Sequence, residues 1–320
     1  MIESLADYPW IAGSIDNIKQ RATAGSLAHA LLLASPPGIG SDLWASTLSQ
    51  SLLCERDKWE QGCGCQSCNW FAAGSHPDYK VIQTEEKSAV IKVAQIQAVV
   101  DFVVKTSQCG TKVILIKDAE RMNLSASNAL LKTLEEPQGN CYILLHSNSP
   151  GRLLPTIRSR TQLQQLDVPS KAQTVEFLTA RGVEELPRLF AKRALVAPLQ
   201  LVELLASDDY ADRKRWLLAL AEKQSIDVLQ AAKKFSSTKI DDCIYWWIAY
   251  VQEAIRQIDQ PDHNWFAFLA KLTSLYDRLL SGANPNAQLT LETLLMDWYR
   301  MSRKFDFHLE EDVTIKRLSE

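Results

Sequence analysis

The sequence predicts an α/β fold for the first half of the chain, a parallel sheet flanked by helices, and an all-α arrangement for the second half. Two observations lead there. Short runs in the first half are apolar along their whole length and are separated by helical patterns, as expected of strands covered on both faces of a parallel sheet. Beyond about Pro169 such strand signals stop, and only helical periodicity continues to Glu320. The length of 320 residues leaves room for two or three domains, and 46% hydrophobic residues are enough to build their cores.

Taken in order, Ala30 to Ala34 (ALLLA) reads as a buried strand leading into a loop, and Leu43 to Cys54 as the helix after it. Tyr79 to Ile82, Lys112 to Ile116 and Cys141 to Leu145 read as further strands, with helices at Val93 to Thr106 and Ser125 to Glu136. Ser170 to Arg181 reads as a helix N-capped by Ser170, whose hydroxyl suits the unpaired N–H groups of a first turn. Pro187 to Ala194 and Pro198 to Ala206 complete a three-helix unit, and Ser207-Asp208-Asp209 marks a boundary. The remainder reads as helices at Tyr210 to Glu222, Ser225 to Phe235, Asp241 to Gln257, Trp265 to Ser281 and Leu289 to Lys304. Gly282 to Asn286 is the turn before the last of them.

The loop Ser35-Pro36-Pro37-Gly38-Ile39-Gly40-Ser41-Asp42 is built like a phosphate-binding loop without its chemistry. An active loop, G-x-x-x-x-G-K-[ST], cradles phosphates on backbone N–H groups, neutralises them with its lysine and holds Mg²⁺ on its hydroxyl. Here Gly38 and Gly40 keep the tight turn possible, but Ser41 stands at the lysine position, Asp42 at the metal-ligand position and Ser35 at the first glycine. The strand at Val113 to Ile116 ends in Lys117-Asp118-Ala119-Glu120-Arg121. Active ATPases end such a strand in Asp-Glu, one carboxylate for Mg²⁺ and one to orient water. Asp118 is kept, Ala119 replaces the second carboxylate, and Glu120 comes one residue late. Both halves of a hydrolytic apparatus are therefore damaged.

Four of the seven cysteines, Cys54, Cys63, Cys65 and Cys68, fall close together. Four thiolates suit tetrahedral Zn²⁺, and a closed four-cysteine site is structural. Cys65-Gln66-Ser67-Cys68 has good knuckle spacing, whereas Gly64 alone separates Cys63 from Cys65. The competing readings are four unligated thiols and a dithiol redox switch. His76 lies nearby, but four thiolates already fill a site, so it reads as a loop histidine fixing a turn.

Asn128 to Pro137 (NALLKTLEEP) reads by composition as a core helix with an apolar face of Leu130, Leu131 and Leu134, stopped by Pro137. Arg158-Ser159-Arg160-Thr161 reads either as a charged surface or as arginines that reach a neighbouring subunit's nucleotide. Adjacent Trp246 and Trp247 face different sides of a helix and read as core and interface packing.

A net charge of −3 excludes a broad electrostatic grip on nucleic acid. No apolar run approaches the roughly 18 residues that span a bilayer, and Met1 to Asp7 lacks the pattern of a signal peptide. A cytoplasmic protein without membrane contact is expected, in which cysteines serve metal or stay free rather than form disulfides.

Together, the segments His29 to Asp42, Cys54 to Cys68, Gly74-Ser75-His76-Pro77-Asp78, Asn128 to Pro137 and Ser159-Arg160 resemble the delta-prime family of bacterial DNA polymerase III clamp-loader subunits. The resemblance implies an AAA+ module over residues 1–168 with an inserted zinc module at 54–68. It further implies a helical lid over 169–207 and a C-terminal helical collar domain over 208–320. It implies a non-hydrolysing stator in a ring with gamma/tau and delta subunits, which loads a sliding clamp onto primer-template DNA. Such a subunit binds no ATP productively. Its Ser-Arg-Cys motif offers an arginine to the adjacent motor subunit's ATP; the matching residues are Ser159 and Arg160, with Thr161 in place of the cysteine and Arg158 close enough to compete. Gln200 stands where active relatives carry a sensing arginine.

Two other functions compete with this one. An autonomous ATPase would need Asp42 to be harmless, although like charges about 4 Å apart cost on the order of 4 kcal/mol at an effective dielectric of ~20. A zinc-dependent nucleic-acid-binding protein would need a basic stripe near Cys54 to Cys68, which the sequence lacks.

Overall fold

The computed structural model describes residues 7–56, 63–85, 88, 90–136, 139–207, 209–221, 228–235, 240–281, 283–305, 307–309 and 311–318, and the chain divides after Pro169 into two compact units. The first unit contains α1 (Pro9–Thr23), β1 (Ala30–Ala34), α2 (Ser41–Leu53), α3 (Gln66–Ala72), β2 (Tyr79–Ile82), α4 (Val93–Val104) and β3 (Lys112–Ile116). It continues with α5 (Leu124–Glu135), β4 (Cys141–Ser147), α6 (Pro155–Arg158) and β5 (Gln162–Gln165). All neighbours in its sheet are parallel, in the order β2-β3-β4-β1-β5. The apolar runs at β1 and β3 are buried along their whole length, as strands covered on both faces must be. On one side of the sheet Leu32, Ile114, Ile116, Ile143 and Leu145 pack with Ile96 and Val99 of α4 and with Leu130 and Leu134 of α5.

Neither α1 nor β5 is among the elements expected from the sequence. Helix α1 starts at Pro9, a favourable first helical position, and buries Trp10, Ile11, Ile15 and Ile18, a spacing that could have been recognised. Strand β5 reads Gln-Leu-Gln-Gln; it has β1 as its one neighbour, and an edge position tolerates polar side chains. Lys112 opens β3 yet is buried. Its ammonium donates to the carbonyls of Phe102 (2.6 Å), Val103 (3.1 Å) and Lys105, closing the C-terminus of α4 where backbone acceptors lack helical partners.

The second unit contains α7 (Lys171–Thr179), β6 (Glu185–Pro187), α8 (Arg188–Ala194), α9 (Pro198–Leu205), α10 (Asp209–Ala221) and α11 (Val228–Phe235). It ends with α12 (Ile240–Gln257), α13 (His263–Leu280), α14 (Ala287–Ser302) and β7 (Asp312–Thr314). Ser170 caps α7 through a reciprocal box with Gln173. Trp247 is fully buried against Trp216, Phe268 and Trp298, while Trp246 packs on Phe190 of α8 at 4.7 Å.

The expectation that strands end near Pro169 needs correction. Antiparallel β6 and β7 pair Leu186 with Val313, and Arg188 N–H and Leu189 N–H donate to the carbonyls of Glu311 and Leu309. Three-residue strands this far apart leave no periodic trace; burial of Leu186, Leu309 and Ile315 sets their register. The expected helix stop at Pro137, the boundary residue Asp208, the helix ends at Glu222 and Ser225, and Gly282 lie outside the described residues.

Candidate functional site

The phosphate-loop segment joins β1 to α2 at the carboxyl end of the sheet. There β1 lies between β4 and β5, where the winding reverses and open α/β sheets place their ligands. Gly38 (φ 79°) and Gly40 (φ 94°) adopt left-handed backbone, so the turn depends on both glycines. Trp10 braces the loop, its indole N–H donating to the Ile39 carbonyl at 2.8 Å. Ser41 is buried at the start of α2. Asp42 is exposed, and its Oδ1 lies 2.6 Å from the ammonium of Lys117 at the end of β3. A cation therefore stands beside this loop, supplied by a different element and already matched by a carboxylate.

Asp118 sits at φ 48°, a left-handed conformation that aspartate tolerates better than most residues. Its Oδ2 lies 3.7 Å from Arg121 Nε, and its Oδ1 lies 3.9 Å from Nδ1 of His146 on β4. Burial pushes the His146 imidazole down from its usual value, more than Asp118, Asp42 and Glu120 raise it. Neither His146 ring nitrogen has a hydrogen-bond partner among the described residues. Glu120 turns toward β4, where its Oε1 accepts from the Asn148 N–H at 3.3 Å. In the second unit Gln200 is exposed, and its amide oxygen accepts from the Tyr245 hydroxyl at 3.4 Å.

The two arginines face different surroundings. Arg158 lines a groove of about 540 Å³ with Ser35, Pro36, Pro37, Asn148 and Leu163. Arg160 turns to the end of α5: its Nε donates to Glu135 Oε1 at 2.5 Å and its Nη1 to the Thr156 carbonyl at 3.1 Å. Ser159 Oγ donates to the Thr156 carbonyl and Thr161 Oγ1 to the Ile157 carbonyl, both at 3.1 Å, so both hydroxyls bind the backbone of the turn that carries Arg160.

The four clustered cysteines converge. Their Sγ atoms all lie within 4.8 Å of one another, with Cys54–Cys63 at 3.3 Å, Cys63–Cys68 at 3.5 Å and Cys54–Cys65 at 3.9 Å. Zn–S bonds of about 2.3 Å in a tetrahedron separate sulfurs by about 3.8 Å, so the donor set fits one zinc ion. Gly64 at φ 66° makes the one-residue spacing between Cys63 and Cys65 possible. Cys65 caps α3 and accepts the Cys68 N–H at 3.4 Å. Burial acts to raise the Cys65 thiol, but the backbone N–H groups of Cys68 and Glu55 and neighbouring sulfurs bring it to about 6. Burial and the adjacent sulfurs push Cys68 strongly up. Sulfurs this close cannot all ionise unless a cation offsets their repulsion.

His76 belongs to the scaffold of this cluster. Its Nδ1 accepts from the Asp78 N–H at 3.1 Å, so its Nε2 carries the proton and donates to Ser67 Oγ at 2.7 Å. The Ser67 hydroxyl passes the chain on to the Leu53 carbonyl at 2.6 Å, linking the residues before Cys54 and Cys68. Asp78 Oδ2 accepts from Ser107 Oγ, Gln108 N–H and Cys109 N–H at 2.7–2.9 Å. Sequence reasoning missed Trp10, Lys117, His146 and Glu135 as site residues. A lysine directly after β3 was the one local signal; the others required the tertiary structure.

A family model described as DNA polymerase III, delta subunit, matches residues 12–170. The chain is 33% identical over 321 residues to DNA polymerase III subunit delta' of Pseudomonas aeruginosa, covering 91% of this chain and 97% of that protein. It is 30% identical over 322 residues to subunit delta' of Yersinia pestis, covering 91% and 95%. Among solved structures it resembles a DNA polymerase III gamma subunit-related protein of Thermotoga maritima, with a TM-score of 0.50 and 16% identity over 91% of this chain and 99% of that one. At that identity the likeness concerns the fold alone.

Proposed function

The chain belongs to the delta-prime family of DNA polymerase III subunits, and from that membership we propose that it is a non-hydrolysing stator of a clamp-loader ring. It assembles with gamma/tau and delta subunits, braces the ring, and takes part in loading a sliding clamp onto primer-template DNA. The observation that carries this reading is the ion pair of Asp42 with Lys117. The position that would hold Mg²⁺ through a hydroxyl carries a negative charge, and Lys117 is engaged with it. Phosphates meet an electrostatically closed loop, so the subunit's part in ATP chemistry lies at its neighbour's site.

Arg160, presented by Ser159 and the Thr156 carbonyl, supplies charge in trans to that neighbouring ATP; Arg158, inside its own groove, does not. An arginine in this role is worth a factor of about 10³–10⁵ in well-studied cases. Cys54, Cys63, Cys65 and Cys68 hold a structural zinc ion. Among the described residues no helix is long and apolar enough to cross a membrane, and we assign the protein to the cytoplasm. The test is reconstitution with gamma/tau and delta subunits. Arg160→Ala is expected to lower clamp- and DNA-stimulated ATP turnover while assembly persists, and unchanged turnover would sink the reading. Arg158→Ala is expected to leave turnover near the wild-type rate.

A further inference from the structure

Arg160 is an exposed side chain on a short turn, and a free arginine there would sample many rotamers. Instead it is gripped from two sides. Glu135 takes Nε at 2.5 Å, and the Thr156 carbonyl takes Nη1 at 3.1 Å, with Ser159 Oγ a weaker second acceptor for Nη1 at 3.4 Å. Nη2 has no hydrogen bond among the described residues, which leaves the outer edge of the fork for an anion.

Glu135 is in turn held by a rigid platform. It is the last residue of α5, whose N-terminus is capped by Asn123, the side chain accepting from the Ala126 N–H at 2.8 Å. At the other end His29, immediately before β1, donates from Nε2 to the Leu134 carbonyl at 2.8 Å. Leu130 and Leu134 anchor the same helix in the core. The orientation of Arg160 is thus tied through Glu135 to the base of β1.

We infer that Glu135 is the positioning residue that aims the Arg160 guanidinium at the neighbouring subunit's nucleotide. This rests on the reading of Arg160 given above. Folding stability is a poor reason for the pair, because the side chains are 36% and 48% exposed and such ion pairs add little. Its consequence is pre-organisation: the planar fork is fixed before the anion arrives, so rotamer freedom is not lost when it binds.

The test uses the complete assembly and reads kcat and KM for ATP under clamp and DNA stimulation. Glu135→Ala is expected to lower kcat by about 5–30-fold, the range set by freeing one arginine's rotamers, with little change in KM, in assembly or in the melting of the isolated chain. Glu135→Asp should recover part of the loss, and Glu135→Ala combined with Arg160→Ala should be no slower than Arg160→Ala alone. Full turnover of Glu135→Ala beside an impaired Arg160→Ala would overturn the positioning role and leave the trans arginine standing. A double variant slower than Arg160→Ala by the full single-variant factor would also overturn it. Full turnover of Arg160→Ala would remove the underlying reading, and this inference with it.

Discussion

Lys117 Nζ lies 2.6 Å from Asp42 Oδ1, joining the end of β3 to the first turn of α2. In an active phosphate loop the cation precedes a hydroxyl within the loop itself. Here the cation comes from the end of β3, two strands away in the sheet, and its partner occupies the hydroxyl's position. With side-chain exposures of 32% and 70% the pair contributes at most about 1 kcal/mol to stability. Its larger effect is on which ligands the loop can accept, because an incoming triphosphate must compete with the Asp42 carboxylate.

The isolated chain is therefore expected to show no ATP binding by calorimetry up to about 1 mM, an affinity worth only ~4 kcal/mol. Ser41→Lys combined with Asp42→Thr restores the loop cation and hydroxyl on a backbone that already turns at Gly38 and Gly40, and should gain measurable affinity. Lys117→Ala alone should gain none. Micromolar binding by the unaltered chain would contradict this account of the loop.

The cysteine cluster predicts about one zinc ion per chain by metal analysis of protein purified without added metal. Cys68→Ser should lose that metal and speed hydrogen exchange from Cys65 to Asp78. Removing metal frees the sulfurs that hold α3, and Ser67 and His76 carry the slack into the following loop. Full metal retention in Cys68→Ser would argue against four-sulfur ligation.

His146 predicts a pH dependence with a defined sign. Its folded value lies below the unfolded imidazole value of about 6.5, burial being the main cause. Above 6.5 both states are neutral and the group contributes no slope. As pH falls below 6.5 the unfolded chain takes a proton that the buried ring refuses, so stability drops by up to about 1.4 kcal/mol per pH unit. The drop levels off once pH passes below the folded value. Denaturant titrations of His146→Leu should lack this component, and an unchanged slope in the variant would refute the assignment.

The β6–β7 pairing predicts that the C-terminus stabilises the second unit. Ile315 is 1% exposed, and its N–H donates to the Glu184 carbonyl at 2.9 Å. Ile315→Asp places a carboxylate among apolar groups and should cost about 3–5 kcal/mol, read as a lowered melting transition. Lys304→Gln, at an exposed position of the same unit, should change stability by less than about 0.5 kcal/mol. Equal effects of the two would mean that the strand is not docked.

Much of the first unit was legible in the chain. Apolar runs such as Ala30–Ala34 and Val113–Ile116, separated by helical patterns, suit a covered parallel sheet, and Gly38 and Gly40 directly after the first of them suit a phosphate-loop turn. Cysteine spacing pointed to a tetrahedral donor set because ligand geometry acts over a few residues. Strand β5 and the β6–β7 ribbon were not legible, since edge strands and three-residue strands owe their conformation to a partner distant in sequence.

The sequence alone determined that a phosphate site had lost its lysine and hydroxyl, since those losses are matters of residue identity at fixed spacing. Only the tertiary structure decided that Lys117 answers Asp42, that Arg158 faces a groove while Arg160 is held by Glu135, and that His29 steadies the end of the helix behind it. These contacts join strand ends and helix ends brought together by the sheet order β2-β3-β4-β1-β5. Electrostatic partnership depends on separations of a few ångströms in space, which local periodicity does not encode.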